Sequence, residues 1–154
     1  MQTIKYTFQP HGDDRGQLVS LEEYNDIPFR IKRVYYMYNT VEGVVRGKHA
    51  HKKLEQILVC ISGSCKIKLD NGKETKVVVL EKPYEGLYVS NDMWREMYDF
   101  SQDAVLVVFA SELYDESDYI RDYEEFLRFI AEKNNRMEEL NLDEKSIKSN
   151  NDIC

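Results

Sequence analysis

The sequence predicts one all-β domain, an antiparallel barrel or sandwich, followed by a single amphipathic C-terminal α-helix. Three observations carry that prediction. Short runs rich in β-branched and aromatic residues recur between Gly, Asp, Asn and Pro turn signals from Ile27 to Asp115, without helical periods among them. The spacing then changes once, to a helical one. Finally, 154 residues suffice for one sizeable core but not for two domains.

The elements follow in order. "HGDDRGQ", His11 to Gln17, clusters Gly and Asp as a turn, and "QLVSLEEY" alternates moderately as a strand. In "IPFRIKRVYYMYNT", Ile27 to Thr40, alternation puts Lys32, Val34 and Tyr36 on one face and Arg33, Tyr35 and Met37 on the other. "EGVV" turns the chain into "RGKHAHKKLEQ", Arg46 to Gln56. "EQILVCISGSCKIKLDNGKETKVVVLE" reads as strands broken at "SGS" and at "DNGK", where Asn71-Gly72 signals a tight hairpin with both central residues at positive φ. "KPYEGLYVSNDMWREMYDFS" and "DAVLVVFASELYD" complete the strands. In Ser117 to Lys133, Tyr119, Ile120, Tyr123, Phe126, Leu127 and Ile130 recur at helical spacing, with Ser117 or Asp118 as N-cap. The predicted domain is 1–133 with a helix at about 118–133, and the polar residues 134–154 are expected to form a partly ordered tail.

Composition narrows the function. A net charge of -7 excludes a general nucleic-acid or membrane-surface binder, which needs a broad basic face. Yet Arg30, Lys32, Arg33, Arg46, Lys48, Lys52 and Lys53 crowd one segment against a single acid, Glu42. A local basic patch on an acidic protein suits a small anionic ligand. No basic start precedes an apolar run, so the sequence predicts a cytoplasmic chain without a membrane span. Cys60 and Cys65 sit in β-patterned runs and read as small buried hydrophobes.

Two of the chain's three histidines, His49 and His51, stand one residue apart. On a strand they point to the same side, towards the same cavity, with Arg46, Lys48 and Tyr35 nearby at the mouth of a small barrel. Three readings compete: metal ligands, packing residues, or a proton-transfer pair working near neutral pH. Gly43, His49, His51, Glu55 and Gly63 follow the first motif of the cupin barrels within one residue of spacing, so the chain resembles a cupin. A metal cupin would complete its ligand set with a His from a second motif. "NDMWREMYDF" has Arg95 there, and a guanidinium repels a metal rather than binding it. Glu55 reads equally as a strand-edge residue. The expectation is a single cupin (jelly-roll) barrel with no metal.

"DIPFRIKRVYYMYN", "VRGKHAHKKLEQILVCISGSCKIKLDNG", "GLYVSNDMWREMYDF" and "VLVVFASELYDESDYIRDYEEF" together resemble the nucleotide-sugar 3,4-ketoisomerases, metal-independent WxcM-like cupins, from about Asp14 to about Ile130. The resemblance implies conversion of dTDP-4-keto-6-deoxy-D-glucose to a 3-keto-6-deoxyhexose through an enediolate. No cofactor is needed, and an aminotransferase acts next at C3. By this resemblance His49 and His51 transfer the protons, with His51 expected as the base at C3 and His49 shuttling or orienting. Tyr35 donates to the sugar oxygen, Arg46 binds the intermediate's oxygen or the pyrophosphate, and Arg33 serves the phosphates. Arg15 goes with the pattern of galacto-type products and Arg95 with that of gluco-type products. A homodimer with swapped N-terminal strands is implied as well. The alternatives are a 3,5-epimerase, disfavoured because no Asp accompanies the His-x-His segment, and a catalytically silent nucleotide-sugar-binding module.

Overall fold

The computed structural model describes residues 1–151, with side chains described as far as Asn141. Two five-stranded sheets make the body. In spatial order the first holds β1 (Ile4–Thr7), β9 (Glu85–Val89), β6 (Gln56–Ser62), β11 (Val105–Ala110) and β4 (Arg33–Met37). The second holds β12 (Tyr119–Ile120), β5 (Arg46–His51), β10 (Trp94–Tyr98), β7 (Cys65–Asp70) and β8 (Thr75–Leu80). Neighbours in both sheets are antiparallel, and β2 (Pro10–Asp13) with β3 (Gly16–Val19) forms a separate hairpin. The predicted all-β cupin barrel is the class observed.

Period-two alternation explains where each side chain goes. Leu58, Cys60, Leu106 and Val108 of the first sheet meet Ile67, Leu69 and Met97 of the second between the layers. Each of the fully buried aliphatics there contributes roughly 1.5–3 kcal/mol relative to exposure. Ile57 and Val59 point the opposite way, onto Phe8, Ile27 and Phe29. The outer face of the second sheet offers Ala50 and Trp94 to Ile120, Phe126 and Ile130. The apolar filling stops at one end of the barrel. There the inner-face positions of β4, β5, β6 and β10 carry Tyr35, His49, His51, Gln56 and Arg95 instead.

The helix differs from its prediction at both ends. Helix α1 spans Tyr123–Asn151 and its cap is Asp122, whose Oδ1 accepts the Glu125 N–H at 2.8 Å. Glu116–Asp118 forms a 3-10 turn, and Tyr119 and Ile120 pair with His51 and Ala50 of β5. Ile120 shares a cluster with Phe126 and Ile130 but not their element, which is why spacing alone drew it into the helix. The expected tail at 134–154 is helical as far as Asn151, since no Gly or Pro interrupts residues 134–151. Asp152, Ile153 and Cys154 lie outside the described residues. The Asn71-Gly72 turn is also different. Four residues join β7 to β8 and only Gly72 has positive φ, because Asn71 Oδ1 accepts the N–H groups of Lys73 and Glu74.

Candidate active site

A cavity of about 520 Å³ opens at the polar end of the barrel, lined by Arg33, Tyr35, Arg46, His49, Tyr114, Tyr119 and Arg121 among others. A larger depression of about 710 Å³ near Thr40, Gly43, Ser64 and Phe100 contains no histidine and no arginine. Chemistry, not size, therefore marks the site.

A β-bulge sets the lining. Met97 pairs with Arg46 and Arg95 pairs with His49, so β5 carries one residue more than β10 between those pairs. Gly47 (φ 84°) and Lys48 (φ 54°) take up the extra residue. Arg46 and His49 are three positions apart and would face opposite sides of a regular strand. The bulge brings both to the cavity. Lys48 itself is exposed and does not line it. A side chain at Gly47 would place its Cβ 2.9 Å from the Arg95 carbonyl oxygen, so only glycine fits this crossing.

Below the lining lie three buried polar groups. His51 and Arg95 are each 1% exposed, and Gln56 is also buried. The His51 ring sits with its Nδ1 3.0 Å from Asp118 Oδ2. Asp118 is itself fixed, since its Oδ1 accepts the Lys53 N–H at 2.8 Å and its Oδ2 the Leu54 N–H at 3.3 Å. The Nε2 of His51 has no hydrogen-bond partner among the described residues. His49 and His51 stand edge to face at 4.8 Å between centroids, and the Tyr119 ring packs on both. Gln56 Nε2 donates to the Tyr35 hydroxyl oxygen at 2.7 Å, which leaves the tyrosine's own proton free for another acceptor.

Arg95 dominates the electrostatics. One amino group donates to the Ser90 carbonyl at 3.0 Å, whereas Nε and the other amino group are buried without partners. No carboxylate pairs with this guanidinium among the described residues. Burial pulls its pKa from 12.5 to about 10, so it remains a cation at neutral pH. Burial first, and the Arg95 charge second, lower His49 to about 4 and His51 to about 2. Both imidazoles are neutral at pH 7. The His51–Asp118 contact is therefore a hydrogen bond from a neutral ring, not an ion pair. Burial raises the Tyr35 hydroxyl above its ordinary value, against the pull of Arg95 and Arg33.

Of the site residues expected from sequence, Tyr35, His49, Arg33 and Arg46 line the cavity, and His51 and Arg95 lie beneath it. Arg15 does not join them. It lies 86% exposed on the β2–β3 hairpin, forked onto Asp13. Glu55 faces outward, bonded by the Tyr88 hydroxyl, because it has the opposite parity to Gln56. The His-x-His segment itself holds no Asp, but Asp118, 67 residues downstream, reaches His51 and makes a His–Asp pair. Sequence reasoning also missed Gln56, Tyr114, Tyr119 and Arg121. The run "YDESDYIRDY", read for its family pattern and its helix cap, contained all of these except Gln56.

Residues 1–131 match the profile of the FdtA family (WxcM-like, C-terminal). The chain belongs to this family. The TDP-4-oxo-6-deoxy-α-D-glucose-3,4-oxoisomerase of Aneurinibacillus thermoaerophilus is 52% identical over 134 residues, covering 87% of this chain and 96% of that protein. Among solved structures, a mutant of the 3,4-ketoisomerase QdtA from Thermoanaerobacterium thermosaccharolyticum, in complex with TDP-4-keto-6-deoxyglucose, superposes with a TM-score of 0.83. It is 43% identical, over 84% of this chain and 94% of its own. WlaRB, a TDP-quinovose 3,4-ketoisomerase of Campylobacter jejuni, superposes with a TM-score of 0.79 and is 48% identical, over 82% and 97% respectively.

Proposed function

We propose that this WxcM-like chain is a TDP-4-keto-6-deoxyglucose 3,4-ketoisomerase working by proton transfer through His49, His51 and Tyr35. One observation carries the mechanism: two neutral histidines and a tyrosine with a free proton converge above a buried cation that no carboxylate among the described residues neutralises. The reaction moves two protons, one from C3 to C4 and one from O3 to O4. Abstraction of C3–H sends its electron pair into a C3–C4 double bond and charge onto O4. Loss of the O3 proton then re-forms a carbonyl at C3 as C4 is protonated. The hydrogen lost at C3 is balanced at C4, so no oxidant or reductant enters. Arg95 stabilises the negative oxygen from a site where burial strengthens its field.

Geometry supports an order of the histidines opposite to the one expected from sequence. His49 lines the cavity, whereas His51 lies behind it and is the more strongly depressed base. His49 is thus assigned the carbon-bound proton, His51 the oxygen-bound proton and Tyr35 the acid at the sugar. Arg33, Arg46 and Arg121 at the mouth suit the pyrophosphate, and the exposed ring of Tyr114 with the half-buried ring of Tyr119 suits the base or sugar. The finer setting is also proposed. A homodimer built on the N-terminal strands is supported by the isolation of the exposed β2–β3 hairpin and its Arg15 from this chain's own cavity. The proposed place of work is the cytoplasm, which suits the free thiols of Cys60 and Cys65. A 3-keto product is a fit substrate for an aminotransferase. The test is a proton NMR time course in heavy water with TDP-4-keto-6-deoxyglucose. Deuterium at C4 of a new 3-keto species is expected; no product and no exchange overturns the assignment, and exchange at C5 instead would favour the epimerase.

A further inference from the structure

The reading that His51 moves the oxygen-bound proton leaves open what keeps this ring competent, and the residues behind it answer that. Asp118 lies in the 3-10 turn Glu116–Asp118, immediately before β12, whose Tyr119 pairs with His51 itself. The turn is tied to the histidine strand by three backbone donors. Lys52 N–H donates to the Asp118 carbonyl at 3.0 Å, and Lys53 and Leu54 N–H donate to its carboxylate. These bonds orient the carboxylate with Oδ2 towards His51 Nδ1 at 3.0 Å. An ionised carboxylate only accepts hydrogen bonds, so Nδ1 must carry the ring's proton. In a neutral imidazole the other nitrogen then holds the lone pair. That nitrogen, Nε2, is the atom left buried and unpartnered.

We propose that Asp118 is a positioning residue that locks neutral His51 in the Nδ1–H tautomer, so that the buried Nε2 is the proton-accepting atom of the ring in every turnover. This rests on the reading of His51 given above. Without the lock the ring could present Nε2–H, which cannot take the O3 proton. The carboxylate also steadies the imidazolium that forms while the proton is held between O3 and O4, offsetting part of the Arg95 repulsion. Packing of the Tyr119 ring at 4.3 Å restricts rotation of the imidazole, so tautomer and orientation are set by the same short segment.

The test records long-range ¹H–¹⁵N spectra of the ¹⁵N-labelled full chain and of Asp118→Asn, with His51→Asn to assign the ring. The wild type is expected to show a pyrrole-type Nδ1 and a pyridine-type Nε2 at His51. In Asp118→Asn the amide can turn its NH₂ to the ring, so the tautomer should invert or mix. The variant's kcat should fall roughly 10- to 10⁴-fold with KM little changed, the range seen when an orienting carboxylate behind a histidine is lost. A wild-type His51 with Nε2–H dominant overturns the proposal, and so does an Asn variant that keeps both the Nδ1–H tautomer and the wild-type kcat. Should Asp118→Asn fail to fold, the wild-type spectrum alone decides. If the wild-type enzyme leaves TDP-4-keto-6-deoxyglucose unchanged, the ketoisomerase reading falls, while the spectrum still judges the tautomer.

Discussion

Replacing Arg95 by Met should leave this protein at least as stable and much less active. The guanidinium is 1% exposed and, among the described residues, is bonded only to the Ser90 carbonyl and has no carboxylate partner. A fall in pKa from 12.5 to about 10, at about 1.4 kcal/mol per unit, means that holding the charge costs the fold about 3 kcal/mol. The sign follows from linkage. A cation whose folded pKa lies below its unfolded one destabilises the fold at every pH below about 10, and relief comes only between there and 12.5. Methionine keeps much of the length and removes the charge, at the expense of one carbonyl left unpaired. The balance lies between no change and about 3 kcal/mol of gain, or about 2–4 °C in Tm per kcal/mol for a chain of this size. Thermal and urea denaturation at pH 7.5 measure it. Turnover should fall roughly 10²- to 10³-fold, as when one oxyanion donor is lost. Because Arg95 also depresses both histidines, the acid limb of the kcat/KM profile should move to higher pH. A variant that is clearly less stable yet turns over normally would refute the idea that the charge is kept for chemistry.

Other outcomes follow from the same geometry. Tyr35→Phe should lower kcat roughly 10²- to 10⁴-fold and, by leaving the buried Gln56 amide short of a partner, reduce stability by about 1–3 kcal/mol; kinetics and denaturation read the two separately. Both site histidines titrate below their ordinary value when folded, so the unfolded chain binds more protons as pH falls from 6.5. Stability should therefore drop below that pH by up to about 1.4 kcal/mol per pH unit for each ring, and His51→Asn should flatten the slope. Gly47→Ala, with φ at 84° and its new Cβ against the Arg95 carbonyl, should cost about 1–3 kcal/mol and lower kcat through the displaced Arg46 and His49. Arg46→Ala at the exposed mouth should raise KM more than it lowers kcat, as measured by steady-state kinetics.

Much of this was legible in the sequence, for reasons that also mark the limits. Strands announce themselves by a two-residue period, and that period alone put Arg33 and Tyr35 on one face and set His49 and His51 side by side. Periodicity says nothing of what lies across a barrel. Asp118 looks like a helix cap because its local surroundings are those of a cap, and only the pairing of β12 with β5 reveals its bond to His51. Ile120 shows the same confusion, with helical spacing on a residue that is a strand. Arg46 is the opposite case. Strict alternation would have turned it away from His49, and only the bulge at Gly47 and Lys48 returns it to the cavity. Arg15 stays outside the site for a third reason, since it lies exposed on the β2–β3 hairpin with only its neighbour Asp13 as partner, and that local contact says nothing of a site.

The site resolves an electrostatic conflict. An enediolate needs a cation close to its oxygens, but a base needs to be free of its proton, and exposed histidines would be partly protonated near neutral pH. On the proposed mechanism Arg95 beneath both rings would answer both needs: burial first, and this charge second, keep protons off the imidazoles, and the same charge would attract the intermediate. A base lowered to about 4, as His49 is, takes a proton from carbon less readily than one near 7. On the proposed mechanism the site tolerates this because the same guanidinium would lower the energy of the anion that abstraction creates. The cation cannot be removed to strengthen the base without losing the field that makes abstraction possible. Changing Arg95 should thus move the pH profile and the rate in opposite senses, with more basic histidines and a slower enzyme.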